Sequence, residues 1–165
     1  MHMQAYEYVR HVAATLPLPR EYRALELGSY DVNGSVRDLF PGASWYGIDL
    51  RPGPNVDLVC DACAFDGGMA YDLCVSTETM EHCPTPELIV QAAHRSLRPG
   101  GVFVATMAAS GRGEHGVDGG AVAEGEYYGN ITPAALGEMF EHGWRVLDLT
   151  HAEDVCDLYV TAVRR

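Results

Sequence analysis

The chain has 165 residues, is 47% hydrophobic and carries a formal net charge of −12. That length predicts one domain, spanning 1–165, with enough apolar content for a substantial core. The acidic balance, with no run of basic residues, argues against sequence-independent binding to a nucleic-acid backbone. No apolar run is long enough to span a bilayer and no signal peptide is visible, so a cytoplasmic location is expected.

Residues 2–16 place Tyr6, Val9, Ala13 and Leu16 at a helical period, and Pro17 and Pro19 end that leading helix, which lies within residues 1–20. A strand is predicted over 23–28. It carries the acid Glu26, turns at Gly28, and leads to Gly34, where a short helix with Val36, Leu39 and Phe40 on one face begins and stops at Pro41. A second strand, 45–50, carries Asp49 near its end. Strands three and four follow at 56–60 and 71–77. Thr85-Pro86-Glu87 reads as a helix start, with a hydroxyl cap, a proline in the first turn and an acid near the positive end. Leu88, Ile89, Ala92, Ala93 and Leu97 then face the sheet. Pro99-Gly100-Gly101 turns the chain into strand five, 102–107. Residues 108–131 form a glycine-rich segment holding His115, Glu124, Glu126, Tyr127 and Tyr128. A loop of that length is usually functional or disordered. Thr132-Pro133 starts a last helix, with Leu136, Met139 and Phe140 buried and Gly143 as its stop. Residues 144–150 and 155–163 are β-rich, and Arg164-Arg165 reads as a solvated tail.

A strand, a glycine turn, a helix and a second strand with a terminal acid form the nucleotide-cradling half of a doubly wound α/β sheet. Gly28 has no Cβ to obstruct a tight turn or a close ligand. Asp49 can accept hydrogen bonds from two ribose hydroxyls. A nicotinamide dinucleotide would want three glycines in its turn, and Tyr30 stands where the second would be. The chain also has no lysine, so the Tyr-x-x-x-Lys arrangement of short oxidoreductases is absent. S-adenosylmethionine has no phosphate and tolerates a looser turn. Its α-amino group and sulfonium are positive, and Glu26 suits them.

Five segments together resemble the class I S-adenosylmethionine-dependent methyltransferases, from about Tyr22 to the C-terminus. They are Leu-Glu-Leu-Gly-Ser-Tyr-Asp-Val-Asn-Gly-Ser at 25–35, Tyr-Gly-Ile-Asp-Leu-Arg at 46–51, Cys-Asp-Ala-Cys at 60–63, Tyr-Asp-Leu-Cys-Val-Ser-Thr-Glu-Thr-Met-Glu-His at 71–82, and Leu-Arg-Pro-Gly-Gly-Val-Phe-Val-Ala-Thr at 97–106. The resemblance implies a Rossmann-like, doubly wound, seven-stranded and mostly parallel sheet, ending in an antiparallel hairpin, in three αβα layers. It implies S-adenosylmethionine as cofactor, S-adenosylhomocysteine as product, and in-line transfer of a methyl group to an acceptor, expected to be a small molecule. The oligomeric state is left open.

The same resemblance implies the site. Gly28, Ser29 and Tyr30 form the first turn. Glu26 lies near the amino-acid end of the cofactor, or is a strand-end acid facing solvent. Asp49 holds the ribose, or caps a helix. Asp61 with the backbone of Ala62 reads the adenine amino edge, or Asp61 is a turn residue. Ser76 and Thr77 pass under the methionine moiety through their backbone. Leu50 and Phe65 wall the adenine or pack in the core. The loop 108–131 is a substrate-side lid or a plain surface loop. His82 and His115 are candidate general bases, since imidazole titrates near neutrality, though the Glu-His pair at 81–82 also reads as a loop-to-helix lock. His2, His11, His94, His142 and His151 read as surface or helix-end residues. No metal is expected, because cofactor contacts account for the acids. A zinc site at Cys60 and Cys63 lacks a second cysteine pair, and the five cysteines read as free thiols. The competing function is a cofactor-binding module without catalysis, serving as a partner or regulator.

Overall fold

The computed structural model describes residues 2–165. Its elements, in chain order, are α1 (Met3–Thr15), β1 (Tyr22–Leu27), β2 (Ala43–Asp49), β3 (Leu58–Val59), β4 (Tyr71–Thr77), α2 (Pro86–Ser96), β5 (Leu97–Ala108), α3 (Pro133–Met139), β6 (Trp144–Ala152) and β7 (Asp157–Arg164). The seven strands form one sheet in the order β3-β2-β1-β4-β5-β7-β6. Pairings from β3 to β5 are parallel, and β7 is antiparallel to both its neighbours. The expected Rossmann-like sheet with a terminal hairpin is thus borne out.

Two apolar clusters sandwich the sheet. On one face, Val9 and Val12 of α1 pack with Val36 and Phe40 against Ala24, Leu73, Val75 and Val104. On the other, Ile89, Ala92 and Ala93 of α2 and Leu136 of α3 pack against Leu25, Cys74, Phe103 and Ala105. Alternate residues of each strand supply opposite faces, as the period of two demands. Tyr8 of α1 stacks on Tyr159 of β7 at 4.7 Å. Its hydroxyl donates to Asp148 at 3.0 Å and lies 2.8 Å from that of Thr161, fixing the start of α1 over β7. Among the described residues, no helix is long and apolar enough to cross a membrane.

Five local expectations are corrected. The helix expected at Val36–Phe40 is a single 3₁₀ turn, Arg37–Leu39. So few residues precede Pro41 that α-helix nucleation is not repaid by propagation. Leu97 leaves α2 and opens β5, paired with Tyr71. Pro99-Gly100-Gly101 is consequently an irregularity inside β5, where the register with β4 shifts, rather than a turn before it. Thr85 precedes α2 but makes no side-chain cap, whereas Thr132 caps α3 by accepting from the Ala135 amide. Arg164 is no solvated tail, because its guanidinium donates to the Leu97 carbonyl.

Candidate functional site

After β1 the chain passes to β2 on one side and later returns as β4 on the other. That reversal opens a crevice at the strands' carboxyl ends, where ligands of open α/β sheets bind. A cavity of about 980 Å³ lies there, at the upper end of the usual small-molecule range. Its lining comes from the turns after β1, β2, β3 and β4, from the glycine-rich loop, and from His2.

Gly28 makes the turn after β1. Its φ of +78° is left-handed, and a Cβ there would stand 2.2 Å from Thr79 Oγ1. The amides of Gly28 and Ser29 both donate to the Ile48 carbonyl at 3.0 Å, tying the turn to β2. Asp49 reinforces this junction by accepting from the Tyr30 amide and the Arg51 amide, each at 3.1 Å. The Arg51 guanidinium lies over the Tyr30 ring, 4.7 Å from its centroid.

Glu26 does not face solvent. It is 4% exposed, and its Oε2 accepts from Arg37 Nε at 2.7 Å. Burial pushes its carboxyl up to about 7, with Arg37 pulling the other way. Asp61 accepts from the Cys63 amide at 2.8 Å and so caps a 3₁₀ turn, Ala62–Ala64. Leu50 stands 71% exposed beside Asp49.

Of the residues expected at the cofactor, Glu26, Gly28, Ser29, Tyr30, Asp49, Leu50, Asp61, Ala62 and Thr77 line the cavity. Ser76 and Phe65 do not. Ser76 is fully buried, with its hydroxyl donating to the Leu27 carbonyl at 2.9 Å. Phe65 stacks on Tyr46 in the core at 6.4 Å.

The other end of the cavity is built by the turn after β4 and by the loop. Glu78 adopts a left-handed φ of +51° as the chain leaves β4, a sparsely populated conformation for a residue with a side chain. The loop folds back over the sheet edge: the Gly129 amide donates to the Glu81 carbonyl at 2.8 Å, and Ala109 bridges Ile131. Arg51 pairs with Asp118 at 3.0 Å across the mouth. His115, Glu126 and Tyr127 thereby line the cavity together with His82. The two histidines meet edge to face, with ring centroids 5.1 Å apart. Burial and the neighbouring His115 lower the His82 pKa, partly opposed by a backbone hydrogen bond at Tyr127 and by Glu126.

Three features escape sequence reasoning. His2, read as a surface residue, lies 2.6 Å from Asp157 Oδ2 and 3.5 Å from Glu78. Asp157 is fully buried and also accepts from Arg112 at 2.7 Å and from the Tyr159 hydroxyl at 2.8 Å. The acid at the head of an apolar β run was the one available signal for this network. Finally, Cys63 is beside Cys83, with sulfurs 3.4 Å apart, and Cys60 has no part in the pair. Burial and Cys83 push the Cys63 thiol up.

A methyltransferase-domain family profile matches residues 36–105. No curated protein matches the chain. Among solved structures, the Burkholderia thailandensis 1,6-didemethyltoxoflavin-N1-methyltransferase, with bound 1,6-didemethyltoxoflavin and S-adenosylhomocysteine, superposes with a TM-score of 0.71. It is 18% identical, over 97% of this chain and 78% of that one. An S-adenosylmethionine-dependent methyltransferase from Mesorhizobium loti gives 0.68 at 17% identity, over 97% and 98%. The [4+2]-cyclase SpnF gives 0.69 at 14% identity, over 98% and 82%. The resemblance to class I S-adenosylmethionine-dependent methyltransferases is borne out, by the profile over the middle of the chain and by the fold over nearly all of it. The expected cofactor is the one that resemblance carries.

Proposed function

We propose that the chain binds S-adenosylmethionine in the crevice at the carboxyl ends of β1, β2 and β4 and methylates a small molecule admitted beneath the glycine-rich loop. The observation that carries this reading is the convergence of the Gly28 turn and the Asp49 carboxylate on one cavity of about 980 Å³.

The lining fits that cofactor. Asp49 is held at the lip by two backbone amides, so its carboxylate is oriented before a ribose arrives. Leu50 and Val32 offer exposed apolar surface to a flat base, and Asp61 with Ala62 stands where an adenine edge would be read. Asp31 and Glu78 bring carboxylates suited to positive groups to the inner end, beside the Arg37-paired Glu26. Ser76 supports this floor from beneath.

When bound, S-adenosylmethionine supplies a methyl group already activated by its sulfonium. The protein's task is then alignment and exclusion of water. The loop, clasped by Arg51 and Asp118, covers the acceptor side. His82, held largely neutral at pH 7 by burial, can accept a proton from an oxygen or nitrogen acceptor, with His115 beside it.

Thermal unfolding in the presence of S-adenosylhomocysteine tests the binding half, because a ligand of the native state raises the melting temperature. A rise with S-adenosylhomocysteine and none with NAD is expected. No rise with the former overturns the reading. Transfer of label from S-adenosylmethionine into small molecules of a cell extract tests catalysis. Binding with no labelled product would favour the non-catalytic module.

A further inference from the structure

We propose that Glu81, His82 and His115 form a zinc site at the acceptor end of the cavity. One donor atom from each lies within 4.8 Å of the other two. Donors on one tetrahedral zinc stand ~3.3–3.6 Å apart, given metal–ligand bonds of ~2.0–2.2 Å. A small inward adjustment of the side chains closes the set.

The reason to expect an ion is a buried acid left without a partner. Glu81 is fully buried, yet its Oε2 has no hydrogen-bond partner. Its Oε1 accepts only a long bond, 3.3 Å, from the Ala108 amide. Among the described residues, no arginine is paired with it. A carboxylate in that position needs a cation or a proton. His82 Nδ1 is likewise buried with no partner.

His115 is prepared for the same task. Its Nδ1 lies 3.1 Å from the Gly113 carbonyl, which can only accept, so Nδ1 carries the hydrogen. The lone pair is then on Nε2. A backbone carbonyl holding the far nitrogen of a ligating imidazole is the usual support behind a metal-bound histidine. Two imidazoles and one carboxylate suit zinc rather than magnesium or calcium, and leave a fourth position open. His82 and His115 both line the cavity, so that position faces it.

A second grouping, His2, Glu78 and Asp157, joins one imidazole to two carboxylates and carries no such argument. Arg112 donates to Asp157 and stands 3.1 Å from His2 Nε2, so a guanidinium already supplies the positive charge. If the methyltransferase reading holds, a zinc ion at Glu81, His82 and His115 would hold an oxygen acceptor through one lone pair, favour loss of its proton to solvent and leave a second lone pair for the methyl carbon, with His82 and His115 as ligands rather than proton acceptors. Binding of the ion itself does not depend on that reading.

The test is a zinc titration of the chelator-stripped full-length protein by calorimetry, with cobalt(II) as a spectroscopic probe. One equivalent should bind, and the cobalt form should show visible d–d bands without a thiolate charge-transfer band. His115→Ala, on a surface loop, should keep the fold by circular dichroism and weaken zinc binding by at least the ~10–100-fold typical of losing even an outer-shell partner. Glu81→Gln should act in the same direction. Unchanged affinity in His115→Ala overturns the proposal, as does absence of binding. So does a thiolate band that disappears in Cys63→Ser/Cys83→Ser, which would place the ion on the cysteine pair. S-adenosylhomocysteine affinity measured on the same stripped sample separates the two claims. Cofactor binding without zinc refutes only the metal site, and zinc without cofactor refutes only the methyltransferase reading.

Discussion

Arg37 donates to the buried Glu26 carboxylate at 2.7 Å through Nε and to the Asn55 carbonyl at 2.7 Å through Nη2. One side chain therefore joins the end of β1 to the turn beyond β2, beside the crevice that Glu26 lines. A guanidinium suits this place because its fork can serve two acceptors at once.

That pair has a pH signature. Burial raises the Glu26 pKa from 4.5 to about 7, so the fold binds this proton more tightly than the unfolded chain does. Its contribution to stability falls as pH rises from about 4.5 to about 7. Arg37→Gln removes the partner that favours the ionised form. The loss of stability should be about 3 kcal/mol near pH 8, where the orphaned carboxylate would be charged, and smaller near pH 5, where it can carry a proton. Urea denaturation at both pH values checks this, and an equal or larger loss at the acid end contradicts it.

Asp49→Asn keeps the shape of the side chain and removes its charge. Affinity for S-adenosylhomocysteine should drop about ten- to a hundredfold, the equivalent of ~1.5–3 kcal/mol for a charge-assisted hydrogen bond. Calorimetry reads this directly. Unaltered affinity would remove Asp49 from the site.

Gly28→Ala should destabilise the fold by more than ~1 kcal/mol, since the new Cβ meets both an unfavourable φ and Thr79. Adding Thr79→Ala should recover only part of the loss. The Thr79 Cβ, which alanine retains, is itself 2.8 Å from the position of the added carbon. Full recovery in chemical denaturation would show that φ strain contributes nothing.

Asp118→Ala severs the clasp over the cavity. Arg51 and Asp118 are both exposed, so global stability should change by less than about 1 kcal/mol. Amide exchange in the loop between Arg112 and Tyr127 should nevertheless quicken, because opening there is local. Unchanged exchange would mean that the loop is held by Gly129 and Ala109 alone.

Much of the site could be read from local pattern, and the misses share one cause. The turn at Gly28 and the acids after β1 to β3 are spaced by strand length and turn chemistry, both of which are local properties. His82 and His115 were each legible as imidazoles, but not as neighbours. His2 carried no signal, since only the docking of Tyr8 onto Tyr159 brings the head of α1 to the cavity. The Ser76 hydroxyl, donating to the Leu27 carbonyl, ties β4 to β1 beneath the cavity, a partner no local pattern names.

From the order of its residues alone, this chain settles where its strands and main helices run, where the backbone must turn, and which acids end up at the carboxyl edge of the sheet. These follow from periodicity and backbone sterics within a few residues. Folding in three dimensions decided the rest: that Arg37 neutralises Glu26, that Cys83 and not Cys60 is the partner of Cys63, and that Glu81 is buried against two imidazoles with no positive charge of its own. Those pairings depend on how separate turns and loops pack together, and no local spacing determines which of them meet.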